Sequence, residues 1–189
     1  MSLDATPVDP AGVSLTAGRL HLRPWEPADA DAVRAACQDP EVQRWTTVPA
    51  PYGRTDAETY VGTHSPAQWR NGTGAPFAVL DATDGALLAS VALMSIGDGL
   101  AEIGYWAAPA ARGQGVVTEA VGVVCRWGFA ARSLQRVTWL AEVGNAPSRR
   151  VAEKAGFTVE GTLRSYLPHR GRLVDAWIGA LLAGDQPLR

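Results

Sequence analysis

The residues best spaced for chemistry are Arg112-Gly113-Gln114-Gly115. They stand between a strand candidate, Glu102 to Trp106, and a helix candidate that begins at Val116. The helix is read from Val117, Ala120, Val121, Val124, Trp127 and Gly128, apolar or small positions recurring every three and four residues. Two glycines at a strand-to-helix turn let a ligand approach the backbone closely. The helix start offers unpaired N–H groups and a partial positive charge, so the stretch reads as an anion site suited to a phosphate. It is not the dinucleotide loop, because Thr118 holds the third glycine position, and no Gly-Lys-Ser/Thr run supplies a Walker-type loop. Taken alone, a plain glycine-rich turn explains it as well.

The surrounding elements follow from pattern. Met1 to Gly18, rich in Pro, Ala, Gly and Ser, is expected to be a flexible arm, with a short tail over 184–189 and one domain over 19–183. Arg19 to Pro24 alternates as a first strand; Pro27 to Cys37 and Asp39 onward read as helices. Val48 to Gly53 is a loop. Thr55 is expected to cap the next helix with Glu58 as its capping-box partner, and Gly62 and Pro66 interrupt that helix. Pro76 to Leu80, Leu87 to Ile96 and the Glu102 strand form a meander with turns at Asp84-Gly85 and Gly97 to Gly99. After the Val116 helix come a strand from Arg136 to Val143, a helix capped by Asn145 and ended at Gly156, and a hairpin of Phe157 to Leu167 with Leu173 to Leu182. The result is a mixed α/β layer with a largely antiparallel sheet.

Bulk numbers narrow the function. Hydrophobic residues make up 47% of the 189 and the formal net charge is -2, which offers no basic field for nucleic acid. Cys37 and Cys125 are isolated, and His21, His64 and His169 are scattered, so neither a disulfide framework nor a metal site is expected. Neither a signal peptide nor a membrane span is evident, and a cytoplasmic location is the expectation.

The loop and its neighbours resemble the GNAT acetyltransferases, whose pyrophosphate loop is written Gln/Arg-x-x-Gly-x-Gly/Ala. Arg112 and Gly115 match, while Val117 stands where that family usually has Gly or Ala. Leu22-Arg23-Pro24, Asp39-Pro40-Glu41-Val42, Ile103-Gly104-Tyr105-Trp106, Thr118-Glu119-Ala120 and the run from Asn145 to Phe157 extend the similarity to the RimJ/RimL type, from Arg19 to Leu182. The resemblance implies the GNAT fold, with a V-shaped splay between the central strands and helices on both faces. It also implies transfer of an acetyl group from acetyl-coenzyme A to a primary amine by direct attack on the thioester, and it allows a homodimer.

That reaction assigns roles. Backbone N–H groups of Gly113, Gln114, Gly115, Val116 and Val117, with Arg112, would hold the pyrophosphate. Tyr105, Trp106 and Ala107 would polarise the thioester carbonyl and line the pantetheine. Glu102 is the candidate base, directly or through a water, although a solvated strand carboxylate pairing with an arginine is its plainer reading. Ser148 occupies the family's Asn-x-x-Ser position and would donate to the departing thiolate, while Asn145 caps the helix and bonds the pantetheine. Trp45, Tyr52, Tyr166 and Asp175 are candidates for the acceptor side, with aromatic core or structural hydrogen bonds as the alternatives.

The acceptor stays open: a protein N-terminal amine, as in the ribosomal-protein enzymes of this type, or a small amine such as an antibiotic, polyamine or amino acid. A non-catalytic acyl-coenzyme A-binding regulatory domain is a competing reading. A nucleotide-dependent enzyme is a third, disfavoured by the missing glycine and lysine.

Overall fold

The computed structural model describes residues 9–185. Residues 1–8 of the expected arm and 186–189 of the expected tail lie outside this range. The rest of the arm is built into the fold, contrary to expectation. After a short 3-10 turn at Pro10–Gly12, Leu15–Ala17 (β1) pairs antiparallel with Leu20–Pro24 (β2). The Ser14 hydroxyl meets His21 Nε2 at 3.1 Å.

A 3-10 turn at Pro27–Asp29 leads into Ala30–Cys37 (α1), followed by Pro40–Trp45 (α2) and Arg54–Thr59 (α3). The cap of α3 is not Thr55. Gly53 stands there, and its N–H donates to the Asp56 carboxylate at 2.7 Å, while Glu58 pairs with Arg54 at 2.8 Å. Gly62 does not break the chain's helical course either. Tyr60–His64 widens into a π turn that runs on into Ser65–Asn71 (α4), where Pro66 lies in the first turn and needs no N–H partner.

Ala75–Asp81 (β3), Leu87–Gly97 (β4) and Leu100–Ala107 (β5) form the expected meander. Then come Val116–Ala131 (α5), Arg136–Glu142 (β6), Ala146–Lys154 (α6), and the hairpin Thr158–His169 (β7) with Arg172–Leu182 (β8). The eight strands make one sheet in the order β1-β2-β3-β4-β5-β6-β8-β7. Every pair is antiparallel except β5 with β6.

Every residue of β3 is buried, because both faces of the sheet are covered there. Phe77 and Val79 face a main core with Trp69, Val121, Val124 and Trp139, under α4, α5 and α6. Ala78 and Leu80 face a smaller core with Trp25, Val33, Tyr52 and Val61, under α1 and α3. Trp69, Phe77 and Trp127 pack edge to face with centroids 5.1–5.7 Å apart, fixing α4 against α5. The alternation carries into β5. Ile103 and Tyr105 belong to the main-core side, and Trp106 packs on the smaller core.

Candidate active site

The parallel β5–β6 ladder is short. Leu100, Ala101, Glu102 and Ile103 pair with Arg136 through Trp139, and there the ladder stops. Beyond it β5 runs on to Ala107 and β6 to Glu142, each still paired only on its outer side. The strands diverge into a V, so the backbone edges of Gly104 to Ala107 that face β6 are free to bond a bound molecule. A parallel pair between antiparallel neighbours is the place where such a gap can open without unpairing either half of the sheet.

The glycine turn lies between the end of β5 and α5. Gly113 and Gly115 have φ of 74° and 79°, where an L side chain is strained, although a Cβ at either would meet open space. The glycines therefore serve conformation rather than clearance. Their effect is a row of N–H groups, from Gly113 to Thr118, that donate to no acceptor among the described residues; the first helical donation is Glu119 N–H to the Gly115 carbonyl at 3.0 Å. At the positive end of a helix of 16 residues this row is a cradle for an anion. Val117 turns its side chain into the main core, so its extra bulk stays out of the cradle.

The side chains of the turn hold its flanks. Arg112 pairs with Asp39, the residue whose carboxylate also caps α2 by accepting from Glu41 and Val42 N–H at 3.1 and 3.0 Å. The Arg112 guanidinium and these two N–H groups hold the Asp39 carboxyl below the usual carboxylate range. Gln114 accepts from Arg19 at 2.6 Å and donates to the Ala110 carbonyl. Glu119 lies against the backbone of Gly18, its carboxylate 3.0 Å from where a Cβ there would stand.

At the mouth of the V, Asn145 caps α6 through Ser148 N–H at 3.1 Å, as its spacing predicts. This holds Ser148 between the diverging strands. Its Oγ accepts from Trp139 Nε1 on β6 at 3.1 Å and lies 3.2 Å from the Tyr105 hydroxyl on β5. That hydroxyl donates to the Ser148 carbonyl at 2.9 Å. Burial pushes the Tyr105 phenol well above its ordinary value, so it stays a neutral donor. Sequence reasoning gave the Tyr105 hydroxyl and the Trp139 indole no role here; neither side chain's polar role carries a local pattern.

Glu102 faces the opposite side of the sheet. Cross-strand neighbours share a face, and Glu102, Gly104 and Trp106 stand opposite Met94, Ala92 and Ser90. Glu102 is half-buried, makes no ion pair among the described residues, and burial raises its carboxyl above the ordinary range. The arginine partner of its plainer reading is therefore absent among those residues. The sheet thus carries a hydroxyl network on one face at the gap and, on the other face one residue inside the end of the ladder, an unpaired, more basic carboxylate.

The expected acceptor residues are less united. Trp45 lies over Gly144 at the end of β6, bonded by its indole N–H to Glu41 at 3.0 Å and covered by the Arg44 guanidinium. Tyr52 does not line an open wall: it is 4% exposed within the smaller core. Tyr166 is 54% exposed on the hairpin. Asp175 accepts from Ser165 N–H at 2.8 Å and so secures a bulge in β7. The hairpin tip itself is tied down by Arg170, a residue the sequence did not single out. Its guanidinium donates to the carbonyls of Gln43, Thr46 and Val48, at and beyond the C-terminal end of α2. Nearby, Glu142 lies 4.0 Å from His169 and 3.5 Å from Arg172.

Known proteins share this fold. The acetyltransferase (GNAT) domain model matches residues 19–158. The uncharacterized N-acetyltransferase p20 of Bacillus licheniformis is 28% identical over 165 residues, 87% of this chain and 93% of the relative. The structure of a GNAT-family acetyltransferase from Bacillus anthracis superposes with a TM-score of 0.78 at 25% identity, covering 90% of this chain and 98% of that one. Mycobacterium smegmatis RimJ in complex with CoA-disulfide gives 0.77 at 26% identity, covering 87% and 82%.

Proposed function

The chain belongs to the GNAT acetyltransferase family, and from that premise we propose that it moves the acetyl group of acetyl-coenzyme A to a primary amine, first among them a protein N-terminal α-amine, by direct attack on the thioester. The observation that carries the reading is the V between β5 and β6, with the Ser148 hydroxyl on one face and the unpaired Glu102 on the other. The row of free N–H groups from Gly113 to Thr118 supports the pyrophosphate as its anion. The Asn145 amide nitrogen makes no bond within the described protein and is free for the pantetheine.

In this reading the thioester lies in the gap. A free N–H of β5 near Tyr105 to Ala107 polarises its carbonyl. The amine approaches from the Glu102 face, gives up a proton to that carboxylate or to a water it holds, and attacks the carbonyl carbon. The C–S bond then breaks with its electron pair on sulfur, on the Ser148 face. Burial that raises the Glu102 pKa also makes it a stronger base. An α-amine, with a pKa of about 7.7–8.0, is roughly a tenth neutral at pH 7, whereas a lysine near 10.4 is only ~0.04% neutral. One half-buried carboxylate suits the first better.

Similarity to the putative ribosomal N-acetyltransferase YdaF of Bacillus subtilis, 37% identical over 101 residues, supports a ribosomal-protein acceptor. The test is release of free thiol from acetyl-coenzyme A across N-terminal peptides beginning with Ala, Ser or Met, polyamines, aminoglycosides and amino acids. Release that depends on the peptides and falls in Ser148→Ala and Glu102→Gln is expected. Binding of acetyl-coenzyme A without turnover on any amine would overturn the transferase reading in favour of a regulatory domain.

A further inference from the structure

We infer that Tyr105 and Trp139 form with Ser148 a hydroxyl relay that turns the Ser148 O–H toward the coenzyme A sulfur as charge develops there. The inference rests on the acetyl-transfer reading above. Trp139 Nε1 donates to Ser148 Oγ at 3.1 Å, Ser148 Oγ donates to the Tyr105 hydroxyl at 3.2 Å, and that hydroxyl donates to the Ser148 carbonyl at 2.9 Å. An indole N–H can only donate, a carbonyl can only accept, and each hydroxyl has one proton. Two proton arrangements therefore fit the same heavy atoms. In the first, just given, the Ser148 proton is committed to Tyr105. In the second, Tyr105 turns its proton from the carbonyl to Ser148 Oγ, and the Ser148 O–H is released into the gap.

Charge on the sulfur decides between them. With a neutral thioester, the first arrangement keeps every proton bonded. With an anionic sulfur, the second gains a charge-assisted hydrogen bond. In that state Ser148 Oγ receives two donors, and two incoming bonds make its own O–H a stronger donor. The fixed members are well held: Trp139 is 1% exposed in the main core, and the Tyr105 ring packs against the same core. Ser148 itself is pinned by Asn145 at the start of α6. No proton leaves Ser148 in this scheme. The electron pair of the broken C–S bond stays on sulfur, the amine's proton goes to Glu102 or solvent, and the relay supplies only hydrogen bonding. Tyr105 and Trp139 act through Ser148 and are positioning residues.

Coenzyme A itself is the probe that tests this, with the full chain. Its bound thiol is titrated by the difference absorbance of the thiolate. In the wild type the bound thiol is expected to titrate below free coenzyme A measured alongside it. Tyr105→Phe, which keeps the ring and the packing, and Ser148→Ala are each expected to cut the thiolate-to-thiol ratio at fixed pH about tenfold, and the double variant by no more than either alone. Turnover follows the same pattern: Tyr105→Phe lowers kcat about tenfold with the acetyl-coenzyme A KM unchanged, and lowers it no further in the Ser148→Ala background. An unshifted wild-type thiol, a silent Tyr105→Phe, or additive losses would each overturn the relay while leaving acetyl transfer standing. If coenzyme A fails to bind the wild type, the acetyl-transfer reading falls and the relay with it.

Discussion

The two sides of the gap are made differently. The cosubstrate side is made of main chain: left-handed Gly113 and Gly115, the free N–H groups up to Thr118, and the unpaired edge of β5. The acceptor side is made of side chains that are already committed to bonds within the protein. Arg170 seats itself on the end of α2, Asp175 on the β7 bulge, and Glu142 faces His169 and Arg172. Main-chain donors can recognise one constant chemical group, a pyrophosphate, with little regard to the side chains around them. Side-chain networks can be rewired from one protein to the next while the sheet stays the same. The contrast places cosubstrate identity in the backbone and acceptor identity in the front wall. α2 touches both, through its capping Asp39 to Arg112 at one end and through the Gln43 carbonyl to Arg170 at the other.

The contrast can be broken in several places. Glu102→Gln is expected to have the largest effect, lowering kcat about a hundredfold at pH 7 with acetyl-coenzyme A affinity unchanged. The deficit should narrow as pH approaches the amine's own pKa, where a base is no longer needed; steady-state rates from pH 6 to 9 measure it. Gly115→Ala forces a Cβ onto left-handed backbone, a strain of about 1–2 kcal/mol, so acetyl-coenzyme A should bind about tenfold more weakly by calorimetry. Equal weakening toward every acceptor would mark this as a main-chain effect. Arg170→Ala should raise the acceptor KM a few-fold and leave the acetyl-coenzyme A KM alone; movement of both would erase the division between the sides.

The smallest effect is on stability. Folding raises the Glu102 pKa, so the folded state holds that proton more tightly than the unfolded chain. The carboxylate therefore destabilises the fold once pH rises above its unfolded value of about 4.3, and increasingly so through the raised folded pKa. Glu102→Gln should then melt slightly higher than the wild type at pH 7, and the advantage should vanish near pH 4. A melting curve at each pH checks the sign. A lower melting temperature at pH 7 would mean that Glu102 is bound in the fold rather than held in reserve.

The same division explains what could be read in advance. Gly113 and Gly115 were legible because positive φ selects glycine, and Asn145 because an Asx cap bonds three residues ahead. In β5, Ile103 and Tyr105 alternate with Glu102, Gly104 and Trp106, and the structure sets the first pair on the main-core side. The α3 cap was misread because two capping patterns overlap: Thr55 with Glu58, and Gly53 with Asp56. The chain's turn after Pro51 selects the second, and Glu58 finds Arg54 instead. Leu15–Ala17 was taken for arm, since three residues are too short for a pattern and β2 supplies their register. Arg170 and Gln43 stand 127 residues apart in sequence, and Ser148 and Tyr105 stand 43 apart. No local spacing encodes such meetings; they exist only once the sheet has brought its two halves together.

That joining is itself narrow. Between β1–β5 and the β6–β8 half, the sheet is continuous through only four residue pairs. A molecule lodged in the V would touch both halves where the protein's own ladder has ended, and would act as a missing rung. Its binding energy then becomes cohesion. A ligand that binds only the folded chain adds about 2.7 kcal/mol to folding stability at a hundred times its Kd. Amide exchange at the open end of β6, beyond Trp139, is where that added cohesion would be felt first, because those residues have one paired neighbour in the free protein and gain a second boundary in the complex.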